Sequence, residues 1–562
     1  MTKKWEVYQK NDQNVEEIME KFHVSSLLAR IIANRGFKTE EEIAVFLNPT
    51  RNDFHDPFLM NDMKKAVVRI CRAIEKKENV IIYGDYDADG ITSTTVLKQY
   101  LADRGLEVGT YIPNRLQEGY GLNTKAIEEI AERHATLIIT VDCGITSIEE
   151  VEYAKEKGIE VIVTDHHETL DTLPDAVAVI DAKRKDNTYP FRGLAGVGVV
   201  FKLIQGISQE LQLEEKEHLK YLDLVCIGTI SDIVPLVDEN RVIAKLGLKL
   251  LEVTKNPGLK CLMRAVGYKK VDSNMVSFGL APRINACGRM GHQEDALKLF
   301  LTKQIQEAQK ITDILNQYNK ERQETEKRIF EEALHKIEEE HREDKKTIVL
   351  GGENWHHGVI GIVSSKITEQ YFKPSILLCF EGDIAKGSGR SIPGFDLHDA
   401  LCKCSKYLEK YGGHEMAVGL SMKKDQFESF REVFEKIAEE SHLEDIEPVI
   451  YIDDEVTLKD MDKETVKQLS LLEPFGEQNK VPLFLYRNLK IDSIRSLSEG
   501  KHLKLTLRDQ NYVMDGIAFN LGELANQYLI GDKVDVVGVL EINTFNGNES
   551  VQMNIKDIRK SY

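Results

Sequence analysis

Three short apolar runs, each followed almost at once by an aspartate, constrain this chain more than any other feature. Val80-Ile81-Ile82-Tyr83 leads through Gly84 into Asp85-Tyr86-Asp87-Ala88-Asp89-Gly90. Leu137-Ile138-Ile139-Thr140-Val141 leads into Asp142-Cys143-Gly144, and Val161-Ile162-Val163 through Thr164 into Asp165-His166-His167. Runs without polar alternation read as strands buried on both faces, the kind found in parallel sheets covered by helices. Helical spacing fills the gaps. Met63, Ala66, Val67, Ile70 and Ile74 precede the first strand, and Val96, Leu97, Tyr100 and Leu101 mark a helix that stops at Gly105. Ser147 with Glu150 predicts a capping box on a helix ending at Gly158. Val177-Ala178-Val179-Ile180 is a further strand, and Leu224-Val225-Cys226-Ile227 fits helix or strand alike. The fold class expected is α/β.

Ligands of an open parallel sheet collect outside the carboxyl ends of its strands. The motifs therefore line one rim with carboxylates and two imidazoles, and Asp232, five residues after Ile227, is placed to join them. So many carboxylates repel one another unless cations lie between them. Oxygen-rich ligands with one or two imidazoles suit Mg²⁺ or Mn²⁺. Asp85 alone reads equally well as a turn former. Three strand ends with an Asp-His-His favour the metal site.

A chain of 562 residues needs about three or four domains. Residues 1–60 read as short helices without a chemical signature. Residues 303–345 hold no Gly or Pro and are dense in Glu, Lys and Arg, which predicts one long helix, mostly a solvated spacer. A second α/β region starts at Thr347-Ile348-Val349-Leu350, with Gly-rich segments at 387–389 and 412–413. After about 450 the pattern becomes short strands with hairpin signals, including Asn546-Gly547. The net charge, 74 − 93 = −19, argues against a uniformly basic nucleic-acid coat but not against a local basic channel. Residues 480–562 carry 11 Lys+Arg against 10 Asp+Glu, so the tail is +1 and the rest −20. No apolar run reaches the ~18–20 residues of a membrane span. The first residues show no signal peptide, and the eight cysteines lack disulfide or zinc spacing. A reducing cytoplasm is the expected setting.

These motifs resemble the DHH phosphoesterases, and among them the single-stranded-DNA-specific exonucleases. The resemblance covers nearly the whole chain. It rests on Asp85–Gly90, Val141–Gly144, Asp165–His167 and Gly228-Thr-Ile-Ser-Asp-Ile-Val-Pro-Leu236. It extends to Pro282-Arg-Ile-Asn-Ala-Cys-Gly-Arg289, Trp355-His-His-Gly-Val-Ile-Gly361, Gly387-Ser-Gly-Arg-Ser391 and Gly412-Gly-His414. It implies a DHH parallel-sheet domain over 61–302 after an N-terminal helical segment, 1–60. A connecting helix at 303–345, a smaller DHH-associated α/β domain at 346–449 and a C-terminal OB-like β-barrel at 450–562 follow. It implies two Mn²⁺ or Mg²⁺ ions bridged by Asp142, with Asp87 on one and Asp89, His166 and Asp232 on the other. Tyr83 stands where some members place a ligand histidine, and Asp85 is expected to compensate. His167 would contact the scissile phosphate, its bland reading being a packed core histidine. Gln478 and Lys480 stand where the family has Gly and Pro.

By the same resemblance Arg115, Ser388 and Arg390 would hold a terminal 5′ phosphate, although a lone arginine also reads as a surface ion pair. Arg283 and Arg289 would stabilise transition-state charge, unless Arg283 only ties the two domains. His414 would line the cleft beside the DNA backbone. Tyr512, Phe519 and Phe545 are stacking candidates whose simpler reading is core. The implied activity is 5′-to-3′ digestion of single-stranded DNA to 5′ mononucleotides in recombination and repair. Its implied partners are the DNA strand, a helicase and a single-strand-binding protein, with no membrane. Two rivals stand beside it. One is a DHH phosphodiesterase of short oligonucleotides or cyclic dinucleotides, against which the region 450–562 weighs. The other is a non-catalytic DHH replication scaffold, which would need no metal ligands.

Overall fold

A computed structural model describes residues 3–9, 14–37, 39–443, 446–545 and 548–561. Contacts gather into two units. One is His55–Val234 with Leu246–Glu447, and the other is Met1–Phe54 with Pro235–Lys245 and Pro448–Tyr562.

The first unit holds a five-stranded parallel sheet in the order Gly109–Tyr111, Val80–Gly84, Leu137–Val141, Glu160–Thr164, Ala178–Ile180. The chain reverses direction across the sheet at Val80–Gly84, so a switch-point crevice opens between that strand and Leu137–Val141. Gly84, Val141, Thr164 and Ile180 stand side by side in register. The next residues are Asp85, Asp142, Asp165 and Asp181, so one rim receives four carboxylates. Helix Ala88–Ala102 leaves the first of these ends and is buried along most of its length. Its hydroxyls at Thr92, Thr94 and Thr95 bond back to carbonyls four residues earlier, which lets polar residues sit dry inside the domain. Leu222–Ser231 is a helix, buried on all sides, which is why its apolar run shows no period. The capping box at Ser147 does not form. Ser147 occupies the N-cap of Ile148–Glu156, but its hydroxyl bonds no helix amide.

A second, mixed sheet in the same unit runs Lys410–His414, Ala417–Lys423, Ile384–Arg390, Ser375–Glu381, Ile348–Glu353, with only the last pair parallel. Helix Ile305–Glu339 leads into it. This helix is no solvated spacer. Ala308, Thr312, Leu315, Asn319, Glu326, Ile329, Ala333 and Ile337 form a buried stripe along it. Ile329, Ala333 and Ile337 share a core with Ile348, Leu350, Val359 and Val363.

The second unit is a closed barrel with an N-terminal helical cover. Strands Phe484–Leu497, His502–Asp509, Tyr512–Ala518, Asn548–Lys560 and Lys533–Phe545 follow one another, and the last pairs back with the first. The strands are longer than the short ones expected, because register shifts after Ile491, Tyr486 and Val537 bend them and let one strand serve two neighbours. The Asn546-Gly547 turn lies outside the described residues. Residues 1–60 are not a separate helical segment. Lys4–Val7 is a strand that pairs in parallel with Val449–Ile452. Leu28, Ile31, Ile32 and Phe46 pack in one core with Leu469, Leu472, Phe484, Leu503 and Ile555. The core therefore cannot be divided at residue 450. Gln478, where the family has Gly, adopts the left-handed φ of 55° that glycine would accept freely, at a cost of about 1–2 kcal/mol. The turn keeps its shape through mutual backbone bonds between Gly476 and Asn479 and through Asn479 Nδ2 donating to the Leu472 and Pro474 carbonyls.

Candidate active site

The strand-end carboxylates meet as two groups. Asp85, Asp87 and Asp142 bring ligand oxygens within 4.8 Å of one another, and Asp89, His166 and Asp232 do the same. Asp142 also belongs with His166 and His167, so it lies between the groups. His166 Nε2 is 3.1 Å from Asp142, 3.6 Å from Asp232 and 3.9 Å from Asp89. Asp142 holds a left-handed φ of 61°, strain that an aspartate tolerates better than a branched residue and that turns its carboxylate into the crevice.

Two carboxylates also build the fold. Asp87 caps helix Ala88–Ala102 by accepting from the Asp89 and Gly90 amides. Asp89 accepts from Gly196 and Val197 at 2.7 and 2.8 Å, so it supplies the cap that Ala195 cannot give helix Gly196–Glu210. Two glycines make the crowding possible. A Cβ on Gly90 would lie 2.4 Å from the Asp85 carbonyl oxygen, and one on Gly196 would lie 2.7 Å from the Asp142 carboxylate.

Burial and then mutual repulsion push Asp85, Asp142 and Asp232 well above the usual carboxylate range, and Asp89 to about 7. Burial drives His166 down to about 3, which leaves a neutral imidazole with a lone pair to give. Asp85 Oδ1, Asp142 Oδ1 and both ring nitrogens of His166 are buried without a hydrogen-bond partner. Such groups are costly unless something absent from the chain satisfies them. An oxygen-rich set with one neutral imidazole fits hard divalent cations.

His167 is oriented, not packed in a core. Its Nδ1 lies 2.7 Å from Asp165 Oδ1, and 38% of its side chain is exposed. Burial alone would lower its pKa, but the Asp165 hydrogen bond and charge raise it to about 9. Asp165 is held by the amides of Ile145, His166 and His167. Burial works against its charge, yet these bonds and the two imidazoles hold its pKa below the usual value. Asp165 thus belongs to the site as the residue that aims His167, a role absent from the sequence reading although the residue opens the motif. Asp181 was missed as well. It follows the last strand, Ala178–Ile180, is buried, and is pushed to about 8 by burial and the neighbouring Asp165. Its signal was the same aspartate after an apolar run. Tyr83, at the absent ligand position, is buried and donates its hydroxyl to the Gly121 carbonyl, so it gives the cluster no ligand.

A group of arginines lies within electrostatic reach of the carboxylates, Arg115 of Asp85 and Arg289 of Asp87. Arg289 is half-buried, and desolvation together with Arg115, Arg322 and Arg390 lowers its pKa to about 9. Burial and Arg115 lower that of Arg390 as well. Among the described residues no carboxylate makes an ion pair with Arg115, Arg289 or Arg390. Arg115 lies over the Tyr86 ring at 5.0 Å, Arg289 Nη1 donates to the Gly358 carbonyl, and Arg390 Nη1 donates to Ser388 Oγ and to the Gly389 carbonyl. Arg322 was not foreseen, because the long helix read as a spacer. Arg283 has partners of its own on two helices. It donates to Asn316 Oδ1 and the Gly279 carbonyl, which ties helix Ala281–Arg289 to the long helix. Asn285 of that helix accepts from the Ala88 amide and so braces the first acidic motif.

On the mixed sheet Arg390 stands opposite Ala417, and Ala417 opposite His414. Ser388 stands opposite Gly419, and Gly419 opposite Gly412. Cross-strand neighbours share a face, so Ser388, Arg390 and His414 line one side of the sheet. His414 is about 10 Å from Arg390 across two strand spacings. A Cβ at Gly412 or Gly419 would meet nothing within 4 Å, so the two glycines leave a bare strip between Ser388 and the sheet edge. In the barrel, Tyr512 and Phe519 are 44% and 52% exposed, so they are not core. The Phe545 side chain lies outside the described residues.

No helix among the described residues is long and apolar enough to cross a membrane. Family profiles match residues 79–229 as the DHH family N-terminal domain, 344–440 as the DHHA1 domain and 452–557 as the RecJ OB domain. The single-stranded-DNA-specific exonuclease RecJ of Bacillus subtilis is 40% identical over 99% of this chain and 70% of its own length. That of Escherichia coli is 34% identical over 95% of both chains. The crystal structure of RecJ in complex with Mn²⁺ from Thermus thermophilus superposes with a TM-score of 0.86 at 32% identity, covering all of this chain and 80% of the other. The corresponding Mg²⁺ complex gives 0.80 at 30% identity, with 100% and 79% covered. The acidic strand ends, the orphaned imidazole and these likenesses over nearly the whole of this chain lead to one conclusion: the chain belongs to the RecJ family of single-stranded-DNA-specific exonucleases.

Proposed function

We propose that this protein is a divalent-metal-dependent exonuclease that digests single-stranded DNA from its 5′ end and releases 5′ mononucleotides. One observation carries the reading: a cluster of buried, unsatisfied carboxylates and imidazole lies near Arg115, Arg289 and Arg390, none of which has a carboxylate ion pair among the described residues. The first needs cations and the second needs an anion, and a phosphodiester between two cations meets both demands. Asp85, Asp87 and Asp142 would hold one Mn²⁺ or Mg²⁺, and Asp89, His166 and Asp232 the other, with Asp142 shared. Bound there, two cations supply an activated water and neutralise charge on the leaving oxygen of an in-line displacement. The chain itself does the positioning. Asp165 aims His167 at the scissile phosphate, where the imidazolium stabilises developing negative charge. Arg289 adds a second fixed positive charge. Arg115, Ser388 and Arg390 hold the terminal phosphate and set how far the strand advances, and His414 lines the bare strip along which the backbone runs. Arg283 acts as a brace between helices.

The RecJ OB domain match over 452–557 supports long single strands over dinucleotides, and the complete donor set speaks against a non-catalytic scaffold. An enzyme confined to single strands needs duplex opened for it. A helicase and a single-strand-binding protein are therefore the partner classes we infer, with recombination and repair in the cytoplasm as the setting. The end pocket is tested by Arg390→Ala. Loss of a charge-assisted bond to phosphate costs about 1.5–3 kcal/mol. The variant should therefore digest 5′-phosphorylated strands roughly tenfold or more slowly, lose most of their advantage over 5′-hydroxyl strands, and keep its Mn²⁺ affinity. Equal loss on both ends would assign Arg390 to general backbone binding.

A further inference from the structure

The loop that follows strand Gly109–Tyr111 carries two residues that point to different parts of the site. Arg115 reaches the arginine group, and Tyr120 reaches the reaction centre. The Tyr120 hydroxyl donates to the Asp142 carbonyl at 3.2 Å and lies 3.1 Å from His167 Nδ1. Its ring meets the His167 ring edge-on at 5.5 Å. With Nδ1 carrying its proton toward Asp165, the phenol oxygen is the second acceptor of that proton. One hydroxyl therefore touches the backbone of the strained Asp142 and the imidazole beside it.

Between the two residues the loop is braced. Glu118 accepts from the Asn114 amide at 2.6 Å, from the Tyr111 hydroxyl at 2.8 Å and from Asn123 Nδ2 at 3.2 Å. Tyr83 holds the far end through the Gly121 carbonyl at 2.9 Å, and Asn123 Nδ2 donates to the Tyr83 hydroxyl. The residue at the missing ligand position is thus a buttress of this loop. Gly119 and Gly121, both at φ 85°, flank Tyr120 and let the chain turn its hydroxyl inward while 49% of the residue stays exposed.

From this geometry we infer that Tyr120 is a positioning residue for His167, and that the braced loop couples a phosphate at Arg115 to the setting of that imidazole. The inference rests on the end-pocket reading above. It makes the terminal phosphate act on turnover as well as on affinity. Misplacement of a reacting group by about 1 Å can cost on the order of a hundredfold, so loss of one of the two acceptors on Nδ1 should cost less, about tenfold.

The experiment is steady-state digestion of 5′-phosphoryl and 5′-hydroxyl strands by wild type, Tyr120→Phe, Arg115→Gln and the double variant, with Mn²⁺ titrated by calorimetry on each. Tyr120→Phe should lower kcat about tenfold on 5′-phosphoryl strands, leave KM and the Mn²⁺ isotherm unchanged, and shrink the kcat ratio between the two ends. Arg115→Gln should remove the same kcat ratio, and the double variant should lose no more of it than either single one. Unchanged kcat in Tyr120→Phe, equal loss on both ends, or additive losses in the double variant would overturn the coupling. A wild type indifferent to the 5′ phosphate would instead overturn the end-pocket reading itself.

Discussion

Asp142→Asn should abolish hydrolysis, with a loss of at least about a thousandfold, or roughly 4 kcal/mol of barrier. Asn is the informative replacement because it keeps the side-chain shape and tolerates the left-handed backbone at this position. The carboxylate lies between the two donor groups, so its neutralisation weakens both at once. The fold should gain what the site loses. In metal-free buffer, Asp142 repels Asp85, Asp89 and Asp232 inside the domain, and removing one of these charges should raise Tm by a few degrees. Mn²⁺ should stabilise the wild type by mass action and leave the variant nearly unmoved. Calorimetry with and without Mn²⁺, beside a digestion assay, checks all three. Activity above a tenth of wild type, or an undiminished Mn²⁺ shift, would remove Asp142 from its shared place.

The largest stability effect should come from a residue of the barrel unit. Arg241 is 1% exposed and lies over the Phe46 ring at 3.7 Å. Its guanidinium donates to the carbonyls of Phe46, Leu471, Leu472, Glu473 and Pro474, with distances from 2.5 to 3.4 Å. Burial, and then Arg35, lowers its pKa to about 9, so the bonds to five carbonyls are what hold the charge there. Arg241→Met keeps the stem and leaves those oxygens unanswered. The expected cost is about 3–5 kcal/mol, seen as an earlier urea transition of the barrel unit. A change below about 1 kcal/mol, the scale of a single ordinary hydrogen bond, would show that water replaces the guanidinium freely.

The metal-facing rim was legible in the sequence because buried parallel strands leave an unbroken apolar run and end in the residues that face the ligand. Asp85, Asp142 and Asp165 could be read off as neighbours before any register was known, and the register then set them side by side. Contacts between distant segments were illegible. Nothing near Arg241 announces five carbonyl partners some 195 to 233 residues away. Trp5 and Val7 do not signal that their strand pairs with Ile450 and Ile452. The long helix hid its buried stripe because Ala308, Thr312, Asn319 and Glu326 carry little hydropathy. Arg322 was hidden with it. Arg283 and Arg289 share a motif and a helix, yet only their hydrogen-bond partners separate a brace from a cleft residue.

The central claim is cation-dependent hydrolysis that begins at a 5′ end. Its most direct test is a single strand labelled at either its 5′ or its 3′ terminus, incubated with the full chain and Mn²⁺. A 5′ label should appear at once as a labelled mononucleotide, while a 3′ label should pass through a descending ladder of shortened strands, and chelation should stop both. A 3′ label released first as a mononucleotide, or digestion that continues without a divalent cation, would contradict the account.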